Sequence, residues 1–152
     1  MHLPNFYNKI VALSEFDAQK TVADIINENH EFIEELVRNQ LSEGKTGTGE
    51  RTMAKWGTQY TFTTIRKKNK NEGLSAEVSY ITMYETGEFY LSLKVITDGK
   101  TFEVTSDVPQ FSELDSWNNE KLIELSPESC MFFRDEILIP QFIERFKLAM
   151  NV

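Results

Sequence analysis

Cysteine occurs once in the 152 residues, at Cys130. A single thiol excludes an internal disulfide framework and any zinc site built on cysteines. Histidine occurs twice, at His2 and His30. A helical metal pair needs two ligands at i and i+4 on one face. His30 and Glu34 have that spacing, but no second histidine joins them, so His30 reads as a solvent-facing residue and His2 as part of a terminus. No run of about 18 apolar residues exists, which excludes a bilayer-spanning helix. The opening MHLPNFYNKIVALSEF lacks a basic start, a continuous apolar core and a small-residue cleavage site, so no signal peptide is read there. Neither an internal repeat nor a low-complexity tract is present.

Positive charge is also scarce. Sixteen Lys and Arg stand against 24 Asp and Glu, a net charge of −8, which argues against general affinity for nucleic acid. The imbalance is local. Residues 45–70 hold Lys45, Arg51, Lys55, Arg66, Lys67, Lys68 and Lys70 against Glu50 alone, so this segment is six positive and the remainder fourteen negative. A basic segment on an acidic body suits attraction between copies or an acidic partner. The plainer reading is a solvated lysine-rich loop.

What is present is 40% apolar and 26% charged, ordinary for one globular domain with a real core. The expected organisation is a single α+β domain over 1–152, with an N-terminal arm at 1–14 and a long polar, basic loop region at 44–76. From about 16 to 43, Val22, Ile25, Ile26, Phe32, Ile33, Leu36, Val37 and Leu41 form a helical stripe that Asn29 interrupts. Ser14 or Asp17 suits its N-cap and Gly44 its stop. One long N-terminal helix of about 27 residues would measure roughly 40 Å.

The stretch 84–105 reads as a small antiparallel sheet, a hairpin centred on 88–105. Asp98-Gly99 is a two-residue turn signal, since a type I′ turn needs φ > 0 at both central positions. That register sets Thr97 opposite Lys100, Val95 opposite Phe102 and Leu93 opposite Val104, with Phe89, Leu91, Leu93, Val95, Phe102 and Val104 on the core face. Gly87 is expected at positive φ where the chain enters the hairpin. Val78–Met83 reads as a preceding strand, 110–118 as a polar connector, and 119–125 as a short helix. Ser126-Pro127-Glu128 starts the last helix, which runs to about 149 and is kinked at Pro140, because proline removes one backbone bond and crowds residue 136.

Few residues offer chemistry. Gly44-Lys45-Thr46 resembles the end of a phosphate loop, but position 39 is Asn where Gly is required, and the segment follows a helix. Gly47-Thr48-Gly49 lacks the third Gly of a dinucleotide fingerprint, since position 52 is Thr. Cys130 sits among Met131, Phe132 and Phe133, where a buried structural thiol is the default. Glu85, Glu88, Glu103 and Asp107 flank the hairpin and mark its wet face more simply than an acid–base pair. The expectation is a non-enzyme with no catalytic residue, no metal and no cofactor.

Three segments carry a resemblance: ELVRNQLSEGKTGTGE, ITMYETGEFYLSLKVITDGKTFEVTSD and LIELSPESCMFFRDEILIPQFIERFK. Together, over about residues 25–148, they resemble small proteins encoded by phages and prophages of Bacteroidetes hosts. More loosely, a helix followed by a threonine-glycine-led hairpin is similar to tail-completion or neck proteins of tailed phages. Two departures stand out: Glu85 replaces the usual aspartate, and KWGTQYTFTTIRKKNK fits the group's tyrosine-rich segment only loosely. The resemblance implies a virion structural protein of the head–tail connector type, made in the host cytoplasm. It would assemble as a ring with copies of itself and other virion proteins, with no small-molecule substrate, no direct nucleic-acid reading and no membrane. The alternative is a soluble phage-encoded interaction, assembly or regulatory module outside the particle. In either case the basic residues 45–70 are the expected interface, and Gly87, Asp98, Gly99 and Pro140 are structural.

Overall fold

The computed structural model describes residues 3–55, 57–72, 80–84 and 87–151. The chain runs through α1 (Leu3–Glu15), α2 (Ala18–Glu28), α3 (His30–Ser42), α4 (Phe62–Glu72) and the one-turn α5 (Glu88–Leu91). Strands β1 (Leu93–Thr97) and β2 (Phe102–Ser106) follow, then α6 (Phe111–Trp117), α7 (Pro127–Phe133), a π-turn (Arg134–Leu138) and α8 (Ile139–Met150). The class is α+β, with an antiparallel two-stranded sheet.

The long helix expected over 16–43 is two short ones. Asn29 breaks it by competing for backbone acceptors: its Nδ2 donates to the Ile25 carbonyl at 2.8 Å, and its φ of −111° leaves the helical well. The apolar stripe survives the break, because Ile25 and Ile26 on α2 and Ile33, Val37 and Leu41 on α3 are all buried. Asp17 caps α2 by accepting from the Lys20 N–H at 2.8 Å. α3 ends at Gly44 (φ +68°), where the Gly44 N–H donates to Leu41 and the Lys45 N–H to Gln40, the two bonds of a Schellman stop.

The hairpin register is one rung off the expected one. Val95 pairs with Val104, Thr97 with Phe102 and Leu93 with Ser106. The cause is the Asp98 side chain, which accepts from the Lys100 and Thr101 N–H groups at 2.8 and 2.7 Å. Asp98 thus stands before the turn instead of at its tip, and only Gly99 takes a positive φ, +85°. A slip of two residues preserves the faces, so Leu93, Val95, Phe102 and Val104 still point inward, against α2, α3 and α7. Leu91 does not. It lies on α5 instead of a strand and is 80% exposed, while Phe89 on the same turn is buried. Gly87 has the positive φ expected (+85°), but it precedes α5 where a strand was anticipated.

Other boundaries differ as well. Tyr80–Met83 is irregular; Val78 lies outside the described residues, as do Glu85 and His2. The span 44–76 is not loop throughout, since α4 occupies part of it. Residues 111–117 form the helix and 119–125 the irregular connector, the reverse of the expectation. Asn119 and Glu120 both take positive φ (55° and 59°), which no helix tolerates. The start of α7 is as expected: Ser126 Oγ accepts from the Ser129 N–H at 3.2 Å, and Pro127 is the first helical residue. Before Pro140 the helix loosens into the π-turn, where the Ile139 N–H reaches the Arg134 carbonyl five residues back.

The core is two adjoining clusters. One joins Val37, Leu41, Phe89, Leu93, Leu122 and Ile123; the other joins Ile26, Ile33 and Phe133. Each fully buried aliphatic or aromatic side chain contributes about 1.5–3 kcal/mol relative to exposure. The N-terminal helix α1 packs on α8, and Phe16 after it meets Phe142 and Phe146 edge-on at 5.7 and 5.2 Å.

Candidate functional site

The seven basic residues do not form one patch. Lys45 pairs with Glu43 at 2.7 Å. Arg51 stacks over Tyr80 at 5.0 Å and donates to the Glu43 carbonyl. Lys55 is exposed in the loop before α4. Arg66, Lys67 and Lys70 are exposed on α4. Lys68, on the same helix, points inward instead and is only 4% exposed.

Lys68 enters a cleft of about 620 Å³ between α4, the 80–84 segment and α5. Its Nζ donates to the Tyr84 carbonyl at 2.7 Å and lies 5.1 Å from the Tyr60 ring centre and 6.0 Å from that of Tyr84. The tyrosines are themselves held. Tyr60 Oη accepts from the Thr82 N–H at 2.9 Å, Tyr90 Oη donates to the Thr82 carbonyl at 2.5 Å, and Tyr84 meets Tyr90 edge-on at 5.3 Å. An ammonium between two aromatic faces is a favourable cation–π arrangement. Here the cation is the chain's own, so the arrangement locks α4 to the segment before α5.

The remaining polar candidates sit apart. His30 is exposed, with Nδ1 2.7 Å from the Asn27 carbonyl, while Glu34 is buried and ion-paired with Arg38 at 3.0 Å. Cys130 is exposed, against the expectation of a buried thiol, and neighbouring chain desolvates it enough to push its pKa above the ordinary thiol value, which disfavours the thiolate. Asp107 is held below the usual carboxylate range by its hydrogen bond from Lys94. Glu88 and Glu103 are exposed, on α5 and β2. Thr46 and Gly47 are buried in the turn that follows α3, with the Gly47 N–H donating to the Lys121 carbonyl at 2.9 Å. Among the described residues no three His, Cys, Asp or Glu side chains converge on a point that could hold a metal.

Two buried amides that the sequence reading passed over organise this side of the molecule. Gln40 donates to the Glu124 carbonyl and accepts from the Ser126 N–H at 2.9 and 3.0 Å. Asn118 accepts from the Met53 N–H and donates to its carbonyl at 2.7 and 2.9 Å. The available signal was a polar amide beside apolar stripe positions, since Gln40 directly precedes Leu41.

Two neighbouring helices expose large apolar side chains. α1 exposes Tyr7, Ile10 and Leu13 (67, 49 and 56%), and its neighbour α8 exposes Ile139, Ile143 and Leu148. On α7, Met131 and Phe132 are half exposed. Large apolar side chains concentrated on exposed elements mark contact surfaces more often than chance. No protein-family model, curated protein or solved structure matches the chain.

Proposed function

We propose that this protein acts by protein–protein contact, as a bacteriophage structural component of the head–tail connector or tail-completion type. The single observation that carries the contact role is the exposed apolar stripe of α1, Tyr7, Ile10 and Leu13, beside exposed Ile139 and Ile143 on the neighbouring α8. The three-segment resemblance supports the phage setting. The exposed Arg66 and Lys70 of α4, on a chain of net charge −8, favour heterologous contacts between unlike surfaces, the kind that close a ring.

Mass spectrometry of purified particles from a producing phage or prophage tests the setting. The expected result is this chain among the virion proteins, in a fixed ratio to the portal or tail proteins. Its absence from particles, with expression ahead of the structural genes, would replace the reading with a soluble assembly or regulatory module. Sedimentation of the purified protein tests the contact role separately. Ile10→Glu with Leu13→Glu is expected to reduce association without changing the helical circular dichroism.

A further inference from the structure

β2 has an outer edge that β1 does not cover. Among the described residues β2 pairs only with β1. The Asp98 N–H donates to the Thr101 carbonyl at 3.2 Å. Rungs in an antiparallel ladder alternate, so the hydrogen-bonded ones are 98/101, 96/103 and 94/105. The backbone groups of Phe102, Val104 and Ser106 therefore face away from β1. No described backbone group outside the sheet bonds to them.

A groove of about 600 Å³ runs along this edge. Six consecutive residues, Lys100 to Thr105, line it. Side chains of a strand alternate between faces, so consecutive residues can all line a groove only where it follows the edge. Phe111, Ile123 and Leu125 contribute apolar wall, and Asp115, Glu120 and Glu124 contribute carboxylates. The bases nearby are Lys100 and Lys121, and Lys121 is paired with Glu124 at 2.6 Å. Counting Glu103, acids outnumber bases four to two. Burial, with Glu120 and Glu124 close by, lifts the Asp115 pKa above its ordinary value. β2 itself carries no proline and no bulge to discourage pairing.

We propose that this groove binds an extended, basic segment of a partner protein as a third strand on β2. Main-chain bonds to Phe102, Val104 and Ser106 supply the attachment, and lysine or arginine opposite Asp115, Glu120 and Glu124 supplies the selectivity. This proposal is independent of the virion reading.

The probe is a fluorescein-labelled, end-capped Lys-Val-Lys-Val-Lys peptide, titrated against the full chain by fluorescence anisotropy. Three comparisons accompany it: the Glu-Val-Glu-Val-Glu peptide, the basic peptide N-methylated at both valines, and the protein variant Val104→Pro. Proline at 104 removes an outward donor and no ladder bond. Saturable binding of the basic peptide is expected, at least tenfold weaker in each comparison. Equal binding by the N-methylated peptide would show charge adsorption alone and overturn the proposal, as would equal binding by the acidic peptide or no binding. If Val104→Pro unfolds, the N-methylated peptide decides. Self-association of the chain that Val104→Pro abolishes would make a second copy the occupant and overturn the partner assignment.

Discussion

Lys68 Nζ donates to the carbonyl oxygen of Tyr84 at 2.7 Å, which ties α4 to the segment before α5. Lys68→Met keeps most of the buried stem and loses the charge-assisted bond. A destabilisation of about 1–2 kcal/mol is expected in urea unfolding. Arg66→Met and Lys70→Met, on the exposed part of the same helix, should each stay within about 0.5 kcal/mol. Equal effects at all three positions would mean that Lys68 is not locked inside.

For the same reason, charge reversal aimed at assembly belongs at Arg66 and Lys70. Arg66→Glu with Lys70→Glu is expected to weaken self-association more at 50 mM salt than at 500 mM, because exposed charges are screened. Sedimentation at the two salt concentrations measures this. Indifference to the reversal would leave α4 a solvated helix face.

Gly44 and Gly49 separate two costs of adding a methyl group. Both have positive φ, +68° and +80°. A Cβ at Gly44 would lie 2.2 Å from the Tyr80 ring, whereas nothing stands within 4 Å of one at Gly49. Gly49→Ala should cost roughly 1 kcal/mol from backbone strain alone. Gly44→Ala should cost clearly more, with loss of the Tyr80 packing visible in ring-proton NMR shifts.

Asp115 gives a pH signature. Burial raises its folded pKa, although its Oδ1 accepts from the Leu122 N–H at 3.1 Å. A carboxyl that binds its proton more tightly when folded favours the fold at low pH, and that contribution is lost as pH rises from about 3.8 through the raised value. Asp115→Asn keeps an acceptor and removes the charge. It should raise the thermal midpoint at pH 7, with the gain shrinking toward pH 4. A constant difference across that range would contradict the assignment.

These contrasts show which physics was legible along the chain. Caps and stops depend on one residue and its immediate neighbours, so Asp17, Gly44 and Ser126 were readable. The sides of the hairpin were readable too, because period-2 alternation survives a slip of two. The rung itself was not, because Asp98 could enter the turn or precede it, and its two side-chain bonds decided that. Asn29 stood out as an interruption in the stripe, yet a helix can tolerate a polar residue on its apolar face. The break follows from the bond to the Ile25 carbonyl. α6 was missed because Phe111, Leu114 and Trp117 lie among acidic and polar neighbours. The inward turn of Lys68 depends on tyrosines far away in sequence, and no local pattern announces it.

The π-turn before Pro140 has a consequence for the whole C-terminal rod. It places one more residue in a turn than an α-helix would, and each residue corresponds to about 100° of rotation. Everything after Leu138 is therefore out of phase with everything before Arg134. Phe133 can face the sheet, while Phe142 and Phe146 swing round to meet Phe16. Removing one residue from Arg134–Leu138 would restore a uniform α-helix and leave those two rings in the phase that now meets Phe16. The turn works as a phase shifter: a uniform helix of this sequence would set Phe142 about 180° round from Phe133, and the residue it takes up brings that angle to about 80°.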